Sequence, residues 1–65
     1  MEDFKISLKA ARVNSGLTLA EACEKLNISK PTLIRYEKGI TCPNYEKLKD
    51  ICNLYQVPIA YIFLH

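Results

Sequence analysis

Three cations crowd one short stretch of this chain: Lys30, Arg35 and Lys38, with Thr32 between them and Glu37 beside them. Ammonium and guanidinium groups at this density hold anions, and an arginine offers two parallel N–H groups to a matched pair of acceptors. On a helix, Lys30, Ile34 and Lys38 recur every fourth residue, with Pro31 and Arg35 in the adjacent row. Leu33 and Tyr36 fall on the opposite side and are expected to face inward. The outward row is basic with one apolar insert, Ile34, which suits a polyanionic partner. Local placement carries this reading, because a net charge of +2 is too small to do so alone.

Other chemistries lack their parts. The one histidine is the terminal His65, and there is no HExxH, no Gly-rich phosphate loop and no Ser/His/Asp set, so an enzyme is not expected. The three cysteines, Cys23, Cys42 and Cys52, are odd in number and lack a C-x-x-C spacing. Neither a disulfide framework nor a metal site is expected from them, and nothing implies a cofactor. Cys23 and Cys52 read as small buried apolar residues, and Cys42, beside Pro43, as a loop thiol open to oxidation.

Two helices must position the basic row. Thr18 and Glu21 form an S/T-x-x-E capping box that starts a helix running to Leu26. Asn27-Ile28 reverses the chain, since Asn visits the left-handed region readily. Ser29 then caps a second helix with Pro31 in its first turn, and Gly39 ends it. Helix, tight turn, helix over about two dozen residues is the helix-turn-helix unit, whose second helix enters the DNA major groove. Around this pair, the spacing predicts a first helix over Asp3 to Asn14, burying Phe4, Leu8 and Ala11. A fourth helix, capped by Asn44 and ending near Tyr55, turns Leu48, Ile51, Cys52 and Tyr55 to one face. After the break at Gln56-Val57, Pro58 opens a short last helix through Leu64, with Ile59, Ile62 and Phe63 closing the core. No β-type alternation, repeat or low-complexity tract is present, and all-α with five helices is the expected class.

The series Gly16-Leu17-Thr18, Glu21, Leu26, Ile28-Ser29, Thr32-Leu33, Arg35-Tyr36-Glu37-Lys38-Gly39, Pro43 and Leu48 resembles the Cro/C1-type (XRE-like) helix-turn-helix family of phage and bacterial repressors. No single residue is diagnostic, but the joint spacing covers nearly the whole chain, from about Leu8 to Phe63. The resemblance implies a compact five-helix, lambda-repressor-like DNA-binding domain spanning residues 1–65. It implies a double-stranded DNA operator as partner and a regulator of transcription, most simply a repressor. It places base contacts on Lys30, Pro31, Ile34 and Arg35, and a structural salt bridge between Arg12 and Glu37. It also implies a dimer, formed in solution or only on DNA, through the apolar tail: Ile59, Tyr61, Ile62 and Leu64.

Helix N-termini bind phosphate through free N–H groups and the dipole, so Thr18, Leu19, Asn44 and Tyr45 are candidate backbone contacts. Lys38 and Thr41 lie between those ends, and the Thr32 hydroxyl is a further phosphate donor. The chain departs from the family pattern at Leu19, where many members carry a glutamine that braces the recognition helix. Pro31 removes a side-chain donor from a reading position, and Ile34 makes that face apolar. These changes leave room for a protein partner, so the alternative is an interaction module such as an antitoxin or antirepressor built on the same shell.

Sixty-five residues make one domain near the lower limit for a self-sufficient core. At 49% hydrophobic residues the chain can pay for ordering, which argues against disorder. No apolar run approaches the roughly 18 residues of a membrane span, and Met1-Glu2-Asp3 is not a signal-peptide start, so no membrane role and a cytoplasmic location are expected. The end at Leu64-His65, without a linker, favours a complete small protein over an excised domain.

Overall fold

A computed structural model describes residues 5–63. Four α-helices occur among them, α1 (Leu8–Asn14), α2 (Leu19–Leu26), α3 (Lys30–Lys38) and α4 (Tyr45–Tyr55), followed by a single 3-10 turn, Ile59–Tyr61. Helix α2 packs on both α3 and α4, α1 packs on α3 and α4, and the closing turn sits on α4. The common core is built from Leu8, Ala11, Ala22, Cys23, Leu26, Leu33, Ile51, Cys52, Tyr55 and Ile62. Leu33 and Ile51 are sealed completely.

The caps expected of α2, α3 and α4 are all formed. Thr18 Oγ1 accepts from Glu21 N at 3.1 Å while Glu21 Oε1 accepts from Thr18 N at 2.9 Å. Ser29 Oγ accepts from Thr32 N at 3.3 Å, and Asn44 Oδ1 from Lys47 N at 2.8 Å. Asn27 turns the chain at φ 59° and ψ 46°, and Gly39 ends α3 at φ 77°. At Gly39 the amides of Gly39 and Ile40 donate to the carbonyls of Tyr36 and Arg35, the paired bonds of a Schellman ending.

Both ends of the chain depart from expectation. Helix α1 starts at Leu8, not Asp3: Ser7 is extended (φ −75°, ψ 163°) and its Oγ caps Ala10 N at 3.1 Å. Asp3 and Phe4 lie outside the described residues. The five residues that were to lengthen α1 include Ile6, which pairs instead with Ile62 in an isolated parallel bridge. Ile6 N donates to Tyr61 O at 2.7 Å and Phe63 N to Ile6 O at 3.1 Å. The predicted fifth helix is accordingly one 3-10 turn after Pro58, because Ile62 turns extended (φ −96°, ψ 131°) to meet Ile6. Alternation follows from that geometry: Ile62 is buried, whereas Phe63, expected in the core, is 43% exposed. Ile59 is half-buried against the core as expected.

Tyr55 carries an uncompensated polar group. Its hydroxyl is buried with no hydrogen-bond partner among the described residues. Burial, with help from the charge of Glu37, pushes its pKa from the ordinary 10 up to about 12. Burial likewise raises the thiols of Cys23 and Cys52. In all three cases the unfolded chain ionises first, so their contribution to stability is complete below the unfolded values and is lost as the pH rises past them; for Tyr55 the loss runs from about pH 10 to about 12. The tyrosine accounts for about 3 kcal/mol of that loss by the top of the window. Urea midpoints should therefore fall steeply between pH 9 and 12, and Tyr55→Phe should flatten the upper half of the decline. At pH 7 the same variant should be neutral or more stable by about 1 kcal/mol, since it removes an unsatisfied buried hydroxyl. Parallel curves for Tyr55→Phe and the parent above pH 10 would refute this account.

Candidate nucleic-acid interface

Helix α3 presents two unlike sides. Leu33 is sealed in the core and Tyr36 half-buried against it, while Lys30, Pro31, Ile34, Arg35 and Lys38 are exposed. Thr32 is half-buried, and its hydroxyl lies 2.8 Å from Ser29 Oγ, so it works within the helix cap. Basic groups thus occupy the outward row from the first residue of α3 to its last.

One ion pair ties α3 to α1. Arg12 Nε lies 2.7 Å from Glu37 Oε2, with the two side chains only 10% and 9% exposed. Arg12 Nη2 donates to Glu37 Oε1 at 3.4 Å, and Nη1 donates to Leu17 O at 3.1 Å. The guanidinium therefore ties α1 both to α3 and to the segment entering α2. Its bond to Glu37 raises the Arg12 pKa against the opposing effect of burial.

The proposed phosphate-facing ends of helices are in place with one restriction. The amide of Thr18 is consumed by Glu21, so the free donors at the start of α2 come after it. That bond, the largest influence on Glu21, lowers the pKa of its carboxyl. At α4, Asn44 and Tyr45 are exposed, and Lys49 Nζ stands 5.4 Å from the centre of the Tyr45 ring. Thr41 is exposed in the loop between α3 and α4, next to the exposed thiol of Cys42.

A surface cleft of about 360 Å³ opens where α1, α2 and α3 meet, lined by Lys9, Arg12, Leu19, Ile34, Glu37 and Lys38. Lys9 was not singled out from sequence. Its spacing of three from Arg12 was the available signal, since that places both on one side of α1. Among the tail residues, Tyr61 is 49% exposed and Ile59 half-buried. Ile62, expected at a dimer contact, is only 7% exposed and is spent on the core. Leu64 lies outside the described residues. No helix among the described residues is long and apolar enough to cross a membrane.

A family model described as "Helix-turn-helix" matches residues 8–62, from the first turn of α1 to the Ile62 bridge. This chain belongs to the Cro/C1-type helix-turn-helix family. It is 42% identical over 55 residues to the HTH-type transcriptional regulator ImmR of Bacillus subtilis (strain 168), covering 85% of this chain and 43% of that protein. To the uncharacterized HTH-type transcriptional regulator YqaE of the same organism it is 34% identical over 59 residues, 91% of this chain and 51% of the relative. The cryptic phage CTXphi transcriptional repressor RstR of Vibrio cholerae is 32% identical over 57 residues, covering 88% of this chain and 51% of its own length. The chain thus spans about half the length of the curated relatives it matches. No solved structure matches it significantly.

Proposed function

We propose that this chain is a sequence-specific double-stranded-DNA-binding domain of a transcriptional regulator, a Cro/C1-like repressor working in the cytoplasm as a dimer on a pseudo-palindromic operator. The observation that carries the proposal is the two-sided α3: Leu33 sealed inward, Glu37 anchored to Arg12, and Lys30, Ile34, Arg35 and Lys38 left outward. In this reading α3 lies in the major groove. Lys30 and Arg35 donate to guanine O6 and N7, while Ile34 and Pro31 pack on base edges. Lys38, Thr41, Leu19 and the α4 start, Asn44 and Tyr45, hold phosphates on either side. Thr18 and Thr32 contribute only hydroxyls already engaged in capping. Two copies joined near Tyr61 and Ile59 would set their α3 helices about 34 Å apart, one turn of DNA. The names of ImmR and RstR, a transcriptional regulator and a repressor, support the same direction.

A second reading rests on the exposed apolar groups. Ile34 on the outward side of α3, and Tyr61 and Phe63 near the C-terminal end, would serve a protein-interaction module. Selection from a random-sequence duplex pool at two salt concentrations separates the two. Repression predicts an enriched palindrome whose binding weakens steeply with salt. Failure to enrich any sequence would remove the DNA-reading function and leave the apolar surface as the place to seek a partner.

A further inference from the structure

Lysines near a DNA-facing helix end ordinarily hold phosphate, and α4 carries two, Lys47 and Lys49. Their surroundings differ. Lys49 is exposed, with Nζ 5.4 Å from the centre of the Tyr45 ring. Lys47 is half-buried, and its ammonium donates to Leu26 O at 3.2 Å, across 21 positions of sequence. Leu26 is the last residue of α2, and its carbonyl is one of those that a helix end leaves without an intrahelical donor. A cation placed there also meets the negative end of the helix dipole.

This bond joins two places that matter for contact with DNA. Past Leu26, Asn27 turns left-handed, Ser29 caps α3, and Lys30 is the first residue of that helix. Just before Lys47 stand Asn44 and Tyr45, the exposed start of α4, and the Lys47 amide is itself held by Asn44 Oδ1 at 2.8 Å. Helices α3 and α4 pack on α1 and α2 rather than broadly on each other. The spacing of their two starts is therefore passed through α2 and the loop between them, and Lys47 closes that path with a hydrogen bond.

Resting on the DNA-binding reading above, we propose that Lys47 is a positioning residue: it fixes the start of α3, which reads bases, against the start of α4, which holds phosphate, and takes no phosphate itself. Operator binding needs both helix starts in register on one duplex, whereas random duplex is held by phosphate contacts alone. Loosening the brace therefore costs specificity and leaves charge-driven affinity in place.

The test is fluorescence anisotropy of the parent, Lys47→Met, Lys47→Arg and Lys25→Met across a salt series. Two labelled duplexes are used, the one enriched by selection and one of random sequence. Methionine keeps the aliphatic stem and removes the ammonium, while arginine restores a charged donor. Lys25 is exposed in the last turn of α2 and its side chain makes no hydrogen bond to another described residue, so Lys25→Met removes an equal charge without the bond. In Lys47→Met the ratio of operator to random affinity should fall about ten-fold per half-site, the worth of one base contact. The slope of log affinity against log salt should stay at the parent's value. Lys47→Arg should recover most of the ratio, and Lys25→Met should match the parent. Partial unfolding lowers both affinities by one factor and leaves their ratio alone, so a merely structural role does not give this result. An unchanged ratio in Lys47→Met overturns the inference: a slope lower by about 0.9 would make Lys47 a phosphate ligand, and an unchanged slope a brace for the fold only. A ratio that falls as far in Lys25→Met overturns it too, since charge and not the bond to Leu26 would be responsible. A parent chain that enriches no duplex overturns both this inference and the reading it rests on.

Discussion

Arg12→Ala should leave the chain largely unfolded at 25 °C, with no cooperative transition in urea or heat. The substitution strands the Glu37 carboxylate, 9% exposed, without its cation, and removes the donor to Leu17 O. Removing one partner of a buried pair costs about 3–5 kcal/mol, because the survivor keeps its desolvation penalty and loses its compensation. A domain of this size rarely holds more than about 3–5 kcal/mol in total. The expected loss therefore equals the whole margin. Glu37→Ala should fail similarly, with the guanidinium stranded instead.

The informative companion is the double change Arg12→Met with Glu37→Leu. It removes both charges and keeps the volume, and such replacements range from neutral to stabilising. Only the bond to Leu17 O is then lost, at about 1 kcal/mol. Circular dichroism melts should show the double variant folded where each single variant is not. A double variant as unstable as the singles would mean that the pair holds α1 against α3 by geometry that packing cannot replace.

Legibility in the sequence followed the range of the interaction. Thr18 with Glu21, Ser29, Asn27, Gly39 and Asn44 act on residues within one turn, and the local pattern located each of them. The same holds for the side assignment of α3, where a period of 3.6 separates Leu33 from Ile34 and Arg35. The start of α1 is misplaced at Asp3 because apolar spacing shows that a helix is present but not where it begins. Ser7 caps Ala10 instead, and the residue before it, Ile6, pairs with Ile62 at the far end of the chain. The same pairing hid the true form of the tail. An apolar run such as Ile59 to Leu64 shows no period that distinguishes helix from strand, so Phe63 was placed inside when the extended backbone turns it out.

The site divides in the same way. Arg12 and Glu37 are 25 positions apart, and only the family resemblance paired them; nothing in their local spacing does so. Lys9 enters the cleft through the packing of α1 on α3, which no window of sequence contains. The buried hydroxyl of Tyr55 is another case. Residue type and helical side placed Tyr55 in the core, but whether its oxygen meets a partner depends on neighbours from three helices.

Arg35→Ala should abolish discrimination at one base pair per half-site without disturbing the fold. Arg35 is exposed in the last turn of α3 and its side chain makes no hydrogen bond or ion pair to another described residue, so truncating it should shift stability by no more than about 0.5 kcal/mol. On DNA, a bidentate arginine–guanine contact is worth about 1–3 kcal/mol of discrimination, and a dimer would lose it twice. Affinity for the operator should therefore fall by about two to four orders of magnitude while affinity for random duplex changes little. Arg35→Lys should recover charge but not the planar fork, and so should restore salt dependence more than specificity. The readout is a matrix of affinities in which every operator position is replaced in turn. One column should flatten in Arg35→Ala, whereas Lys38→Ala should lower all columns together. Equal losses on operator and random DNA would show that Arg35 holds phosphate, and base reading would then fall to Lys30 and Ile34 at the N-terminal side of α3.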